Sequence, residues 1–143
     1  MATTQVSLEE DLRTDYEPDC DYVDGELEER NVGENEHSIT QAFFIKWLAK
    51  HEDEWQLEAC PEIRVRIVPG RVRVADIVIL PVKTPFEAVL ITPPVAIVEV
   101  LSPKDRASRY RQRLDEYHAM GVANVWPDAL QGLQLQPGRL AAG

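Results

Sequence analysis

Arg71-Val72-Arg73-Val74-Ala75-Asp76-Ile77-Val78-Ile79-Leu80 is the stretch on which the fold turns. It begins with arginine and valine in alternation and then becomes apolar at every position except Asp76. Alternation marks a strand with one wet face. An unbroken apolar run marks a strand covered on both. The stretch therefore predicts a strand that runs into the centre of a sheet and carries one carboxylate with it.

Working upstream, Glu62 to Val68 alternates, with Ile63, Val65 and Ile67 on one face and Glu62, Arg64 and Arg66 on the other. Pro69-Gly70 turns it into the central stretch. Trp55 to Ala59 reads as a further short strand, so the three predict an antiparallel meander. Before them, Ile39, Phe43, Phe44, Trp47 and Leu48 recur at helical spacing and predict a helix over about 36–51, with His37 in its first turn. Residues 31–36 read as a loop. Asp21 to Leu27 reads as a hairpin turning at Asp24-Gly25, a dipeptide suited to the left-handed positions of a tight turn.

Downstream, 81–93 is a proline-bearing loop, and Pro94 to Leu101 is a second buried strand interrupted by Glu99. Ser102-Pro103-Lys104-Asp105 is a helix start: a capping serine, proline at the first helical position and an acid three residues past the cap. Ala107, Tyr110, Leu114, Tyr117 and Met120 form the apolar stripe of that helix, which Gly121 ends. Val122 to Trp126 reads as a last strand, and the tail from Pro127 is weakly patterned. The sum is a mixed α/β (α+β) domain over 21–143, a central mixed sheet flanked by helices, preceded by an acidic arm over 1–20.

The chain has 143 residues, 44% of them hydrophobic, which suits one domain with a real core. No apolar run approaches the roughly 20 residues of a membrane span, and the start lacks a basic-then-apolar secretory pattern. Cys20 and Cys60 have no metal-ligand spacing and are expected as thiols of a cytoplasmic protein. The net charge of -10 argues at first against a nucleic-acid partner. The charge is uneven, however. Residues 1–36 hold 13 acids against Arg13 and Arg30, while 37–143 hold 12 acids and 13 bases. Lys104, Arg106, Arg109, Arg111 and Arg113 crowd one helix, which reads either as a solvated face or as a phosphate-facing patch. The arm could lie over that helix as a mimic of phosphate.

Asp76 and Glu99 sit where acids are expensive, because a carboxylate buried without a partner costs several kcal/mol. Two of them on neighbouring strands could share one site. They would repel unless a divalent cation lay between them, and oxygen-only ligation suits Mg²⁺ or Mn²⁺. On spacing alone a second reading is equally open: internal salt bridges to Arg71, Arg73 or the basic helix. Glu62 is a third acid, either a further ligand or water-holding group or a surface acid paired with Arg64 or Arg73. His37 could orient a carboxylate, contact phosphate, or simply sit at the surface. Glu26 is a weaker supporting acid. Ser102 is explained as a cap, neither cysteine carries an activating motif, and no phosphate loop or dinucleotide fingerprint is present.

Asp76 followed by Glu99 at a strand end resembles the Asp…(Asp/Glu)-X-Lys core of PD-(D/E)XK nucleases. More narrowly, the chain resembles a bacterial group of restriction-endonuclease-like proteins, the Uma-two family. The resemblance covers roughly residues 16–126. It rests on the order of Asp24-Gly25-Glu26-Leu27, His37 opening a helix, Pro61-Glu62-Ile63-Arg64-Val65, Val74-Ala75-Asp76-Ile77, Glu99-Val100-Leu101-Ser102-Pro103, and Tyr117-His118-Ala119-Met120-Gly121-Val122 leading to Trp126.

The resemblance implies a Mg²⁺- or Mn²⁺-dependent endonuclease acting on nucleic acid, DNA in the first instance, with Asp76 and Glu99 as metal ligands. It also implies a cation beside them. Ala75 stands where the family's proline usually precedes the aspartate, and Leu101 where the motif has lysine. Arg113 matches a lysine further along the helix that replaces it in this family; Lys104 is the alternative. Arginine can hold phosphate but is a poor general base. The chain also departs after Trp126, where the family continues into another strand. The rival expectation is therefore a nuclease-fold module that binds nucleic acid or protein without cutting. A homodimer would supply the two sites that cutting both strands of a duplex needs.

Overall fold

The computed structural model describes residues 5–13, 20–29, 35–85, 87–100 and 107–127. The elements are α1 (Leu8–Arg13), β1 (Cys20–Val23), β2 (Glu26–Glu29), α2 (Asn35–Lys50), α3 (Glu52–Trp55), β3 (Leu57–Val68), β4 (Arg71–Pro81), β5 (Ala96–Glu99), α4 (Ala107–Ala119) and β6 (Asn124–Pro127). The six strands form one mixed sheet flanked by helices, as the sequence predicts.

β4 is the axis of that sheet. One edge is covered along its length by β3, from Leu57↔Pro81 to Val68↔Arg71. The other edge is shared. β1 pairs antiparallel with the start of β4 (Tyr22↔Val72, Val23↔Arg71), and β5 with its later half (Ile77↔Val98 to Ile79↔Ala96). Between these pairings, residues 73–76 face a fork in the sheet. β6 then adds parallel to β5, so β5, α4 and β6 form a crossover unit. The β1–β2 hairpin turns with Asp24 and Gly25 both at positive φ, 51° and 90°, the conformation that Asp-Gly favours.

The core has two halves. On one face of the sheet, Phe44 and Leu48 of α2 pack with Leu57, Ile77, Ile79, Ala96 and Val98, joined by Trp47, Trp55 and Trp126. On the other, Tyr117 of α4 packs with Val65, Ala75, Val78, Leu90, Ile97 and Val122. Ala75, Ile77 and Ile79 would share a face in a regular strand. Here Ala75 belongs to the α4 side and the other two to the α2 side. The faces exchange across Asp76, and on β3 across Glu62, whose φ of 54° is left-handed. The irregularity re-aims side chains at that row, as bulges next to functional sites do.

Three expectations change. The short strand from Trp55 and the strand from Glu62 are one strand, β3, because pairing continues through Pro61 (Pro61↔Ile77) despite its missing N–H. The meander is thus a two-stranded hairpin, and Trp55 instead ends the one-turn helix α3. The apolar stripe of α2 is only partly covered, with Ile39 59% and Phe43 42% exposed. The described part of the acidic arm, 5–13, holds α1, whose Glu10 N–H is capped by Ser7 Oγ at 3.1 Å. Val6 N–H donates to the Gly25 carbonyl and the Tyr22 hydroxyl to the Val6 carbonyl, which dock this segment on the β1–β2 hairpin.

The α4 stop has the expected geometry. Gly121 takes φ 107°, Gly121 N–H donates to His118 O, and Val122 N–H donates to Tyr117 O, the paired bonds of a Schellman ending. The Ser102-Pro103 start, Lys104 and Leu101 lie outside the described residues.

Candidate metal centre at the fork of the sheet

A strand edge that loses its partner must satisfy its backbone some other way. At the fork, Val74 does so with side chains. Its N–H donates to Asp21 Oδ1 at 2.7 Å, and its carbonyl accepts from Arg113 Nη2 at 3.0 Å. The end of β5 is closed similarly, with Val100 N–H donating to Asp76 Oδ2 at 2.8 Å. Backbone groups left open by the topology thus fix both a carboxylate and a guanidinium.

Asp76 and Glu99 come together there. Continuing the β4–β5 register by one step sets them opposite each other, and they are in hydrogen-bond contact. Both are buried, at 4% and 2% exposure. Glu99 Oε1 accepts from the Tyr117 hydroxyl at 2.5 Å and from Arg113 Nη2 at 3.2 Å. Tyr110 Oη donates to the Glu99 carbonyl at 2.7 Å.

Burial pushes the Glu99 carboxyl well above its ordinary range, against the pull of Arg113, and the neighbouring Asp76 carboxylate pushes it further. Burial also raises the Tyr117 hydroxyl, helped by Glu99. Arg113 loses by burial, but Asp21 and Glu99 overcome that loss and hold it protonated. Two carboxyls in contact need a proton or a cation between them. The donor set is all oxygen, drawn from two adjacent strands, and fits a hard divalent cation that keeps several waters. Among the described residues no group of three or more acid, histidine or cysteine side chains is disposed to hold a metal, so two carboxylates are what the centre offers.

The other expected residues fall into place unevenly. Arg113 is at the centre. Glu62 lies one strand over, in the row between the pairs Pro61↔Ile77 and Ile63↔Ala75. Gln41 Nε2 donates both to Glu62 Oε1 at 2.8 Å and to the Asp76 carbonyl at 2.9 Å. His37 sits in the first turn of α2, but its side chain is outside the described residues, as is Lys104. Arg71 and Arg73 do not turn to the acidic pair. Arg71 meets Asp24 and Glu116, and Arg73 meets Asp21, Glu28 and Glu116. Burial works against the Arg73 charge, while Glu116 and Asp21 hold it on, leaving its pKa raised. Of the basic helix, Arg113 reaches Glu99 and Asp21, and Arg109 lies 3.6 Å from Glu28.

Sequence reasoning missed Asp21, Tyr117 and Gln41. Asp21 is one acid among many in an acidic segment, and nothing around it marks it as buried. Tyr117 sits on the apolar stripe of α4 and reads as core, which its ring is; only the fold brings its hydroxyl to Glu99. Gln41 has no local signal at all.

The family described as "Putative restriction endonuclease", Uma2, matches residues 8–141. No curated protein matches the chain. Among solved structures, a crystal structure of a "putative nuclease belonging to DUF820" from Anabaena variabilis ATCC 29413 is similar. It aligns over 85% of this chain and 73% of its own, with a TM-score of 0.71 and 18% identity. No helix among the described residues is long and apolar enough to cross a membrane.

Proposed function

Because the chain belongs to the Uma2 family of restriction-endonuclease-like proteins, we propose that it is a divalent-metal-dependent endonuclease that hydrolyses phosphodiester bonds of nucleic acid, DNA in the first instance. One observation carries this reading: Asp76 and Glu99, from neighbouring strands, meet at the fork of the sheet beside the Arg113 guanidinium. Asp76 and Glu99 would hold Mg²⁺ or Mn²⁺. When bound, the cation supplies charge for the developing phosphorane and lowers the pKa of water.

The chain's own groups do the rest. Arg113 presents a fixed positive charge to a phosphate oxygen. It stays protonated, so it stabilises charge and does not take the proton of the attacking water. Glu62, held by Gln41, would orient that water from the next strand. Tyr117 steadies Glu99 through its hydroxyl. His37 and Lys104 remain assigned as supporting groups, His37 to orient a carboxylate and Lys104 to meet phosphate. In the reaction the water oxygen bonds to phosphorus, the ester oxygen leaves, and that oxygen takes up a proton. The protein acts in the cytoplasm, as a homodimer when both strands are cut.

A nicking assay on supercoiled and single-stranded DNA with Mg²⁺ or Mn²⁺ tests this. Cleavage is expected from the wild type and none from Asp76→Ala. No cleavage by either, or equal cleavage by both, sinks the proposal.

A second reading is a nuclease-fold module without turnover. It is favoured by Leu101 at the motif's lysine position and by Arg113 being engaged on both sides, with Asp21 and Glu99. It expects nucleic-acid binding with no hydrolysis, and metal-dependent nicking lost in Glu99→Ala excludes it.

A further inference from the structure

Arg113 poses a problem for any cation that enters beside Glu99. A guanidinium already bonded to a carboxylate competes with a metal for it. A bidentate pair of bonds from Arg113 to the Asp76–Glu99 pair would fill the site outright. The geometry prevents that collapse. Nη1 is bonded to Asp21 Oδ2, and Nη2 divides itself among the Val74 carbonyl at 3.0 Å, Glu99 Oε1 at 3.2 Å and the Tyr117 hydroxyl at 3.4 Å. Only one nitrogen reaches the acidic pair.

Asp21 is built to do this. It is 2% exposed, and its other oxygen is fixed by Val74 N–H. It therefore cannot swing toward Arg113 or away from it. Arg73 also bonds Oδ2 at 3.1 Å, and is itself anchored by three bonds to Glu116. Asp21 belongs to β1, on the far side of the fork from Glu99, so it pulls the guanidinium away from the pair.

We propose that Asp21 is a positioning residue that limits Arg113 to one nitrogen on the Asp76–Glu99 pair, so that a divalent cation can enter beside it while the arginine's charge stays at the site. Asp21 itself does not touch the cation. The inference rests on the metal reading above and adds to it a residue that makes the arginine compatible with the metal.

The test is a double-mutant cycle read by calorimetry with Mn²⁺ on the full chain. Asp21→Asn keeps an oxygen for Val74 N–H, and Arg73 keeps Glu116 and Glu28, so the fold has the means to survive. In the wild-type background Asp21→Asn weakens Mn²⁺ binding by about tenfold or more, the size of effect seen for outer-shell partners, because Arg113 closes on Glu99. In an Arg113→Met background the same change shifts Mn²⁺ affinity by less than about twofold, as expected of uncoupled sites. Equal weakening in both backgrounds would mean that Asp21 acts only as a distant negative charge, and would overturn the proposal. Should Asp21→Asn not fold, Asp21→Glu replaces it: an affinity change that Arg113→Met abolishes is expected, and one that persists overturns the idea. Failure of the wild type to bind Mn²⁺ is a different result and overturns the metal reading itself.

Discussion

The two faces of the sheet are held down by different physics. On the α2 face, Phe44, Leu48, Ile77, Ile79 and Val98 pack as one apolar cluster. On the α4 face, apolar packing around Val78 and Ile97 gives way toward the fork to a network of Asp21, Arg73, Arg113, Glu99, Asp76 and Glu116. Apolar burial stabilises at roughly 25 cal/mol per Å² without geometric demands. A buried ionic network at best recovers its desolvation cost, and replacing it with apolar groups is often neutral or stabilising. A chain selected for stability alone would build both faces like the first. The proposed metal centre at the fork accounts for that contrast.

The largest expected effect breaks the contrast on its functional side. Glu99→Ala should reduce metal-dependent DNA nicking to the level of the metal-free control while leaving the α2 face intact; near-UV circular dichroism of the tryptophans on that face should stay unchanged. On the other side, Phe44→Ala removes a fully buried ring from the apolar face. It should cost about 3–5 kcal/mol in urea unfolding with little change in Mn²⁺ affinity. A Phe44→Ala protein as stable as wild type would undo the division of labour.

A subtler test uses pH. Burial and Asp76 hold the Glu99 carboxyl well above its usual range in the folded state, whereas in the unfolded chain it returns to ordinary. Between those two values the folded protein keeps a proton that the unfolded chain has released. Metal-free stability therefore falls as pH rises from the ordinary carboxylate range toward the raised value. Glu99→Gln should remove that slope. Thermal melts from pH 5 to 8 with chelator check it, and a steeper slope in the variant would contradict it. The smallest effect is expected at the uncovered rim of α2, where Ile39→Ser should change stability by no more than about 0.5 kcal/mol, measured by the same melts.

Much of the architecture was legible because local patterns and tertiary demands agree. The alternation of 62–68, the apolar run through β4 and β5, the Asp-Gly hairpin and the Gly121 stop each encode their element within a few residues. The errors fell where they disagree. Pro61 and Glu62 read as a break, yet β4 is long enough to hold β3 together across them, at the cost of a left-handed φ at Glu62. Asp76 and Glu99 were visible as acids in apolar strands. Their partners were not, since Asp21, Gln41 and Tyr117 lie on three other elements and look ordinary in each.

By itself, then, the sequence determined which residues must be strand or helix and which two acids sit at the greatest electrostatic cost. Those follow from periodicity and from the energy of burying charge, both short-range properties. Only the tertiary structure decided that β1 and β5 share one edge of β4, leaving a fork between them. The unpaired backbone of that fork holds Asp21 and Arg113, and Arg113 in turn reaches Glu99. Side chains 53 and 39 residues from Val74 in sequence cannot announce such a meeting, because it exists only once the strands have chosen their neighbours.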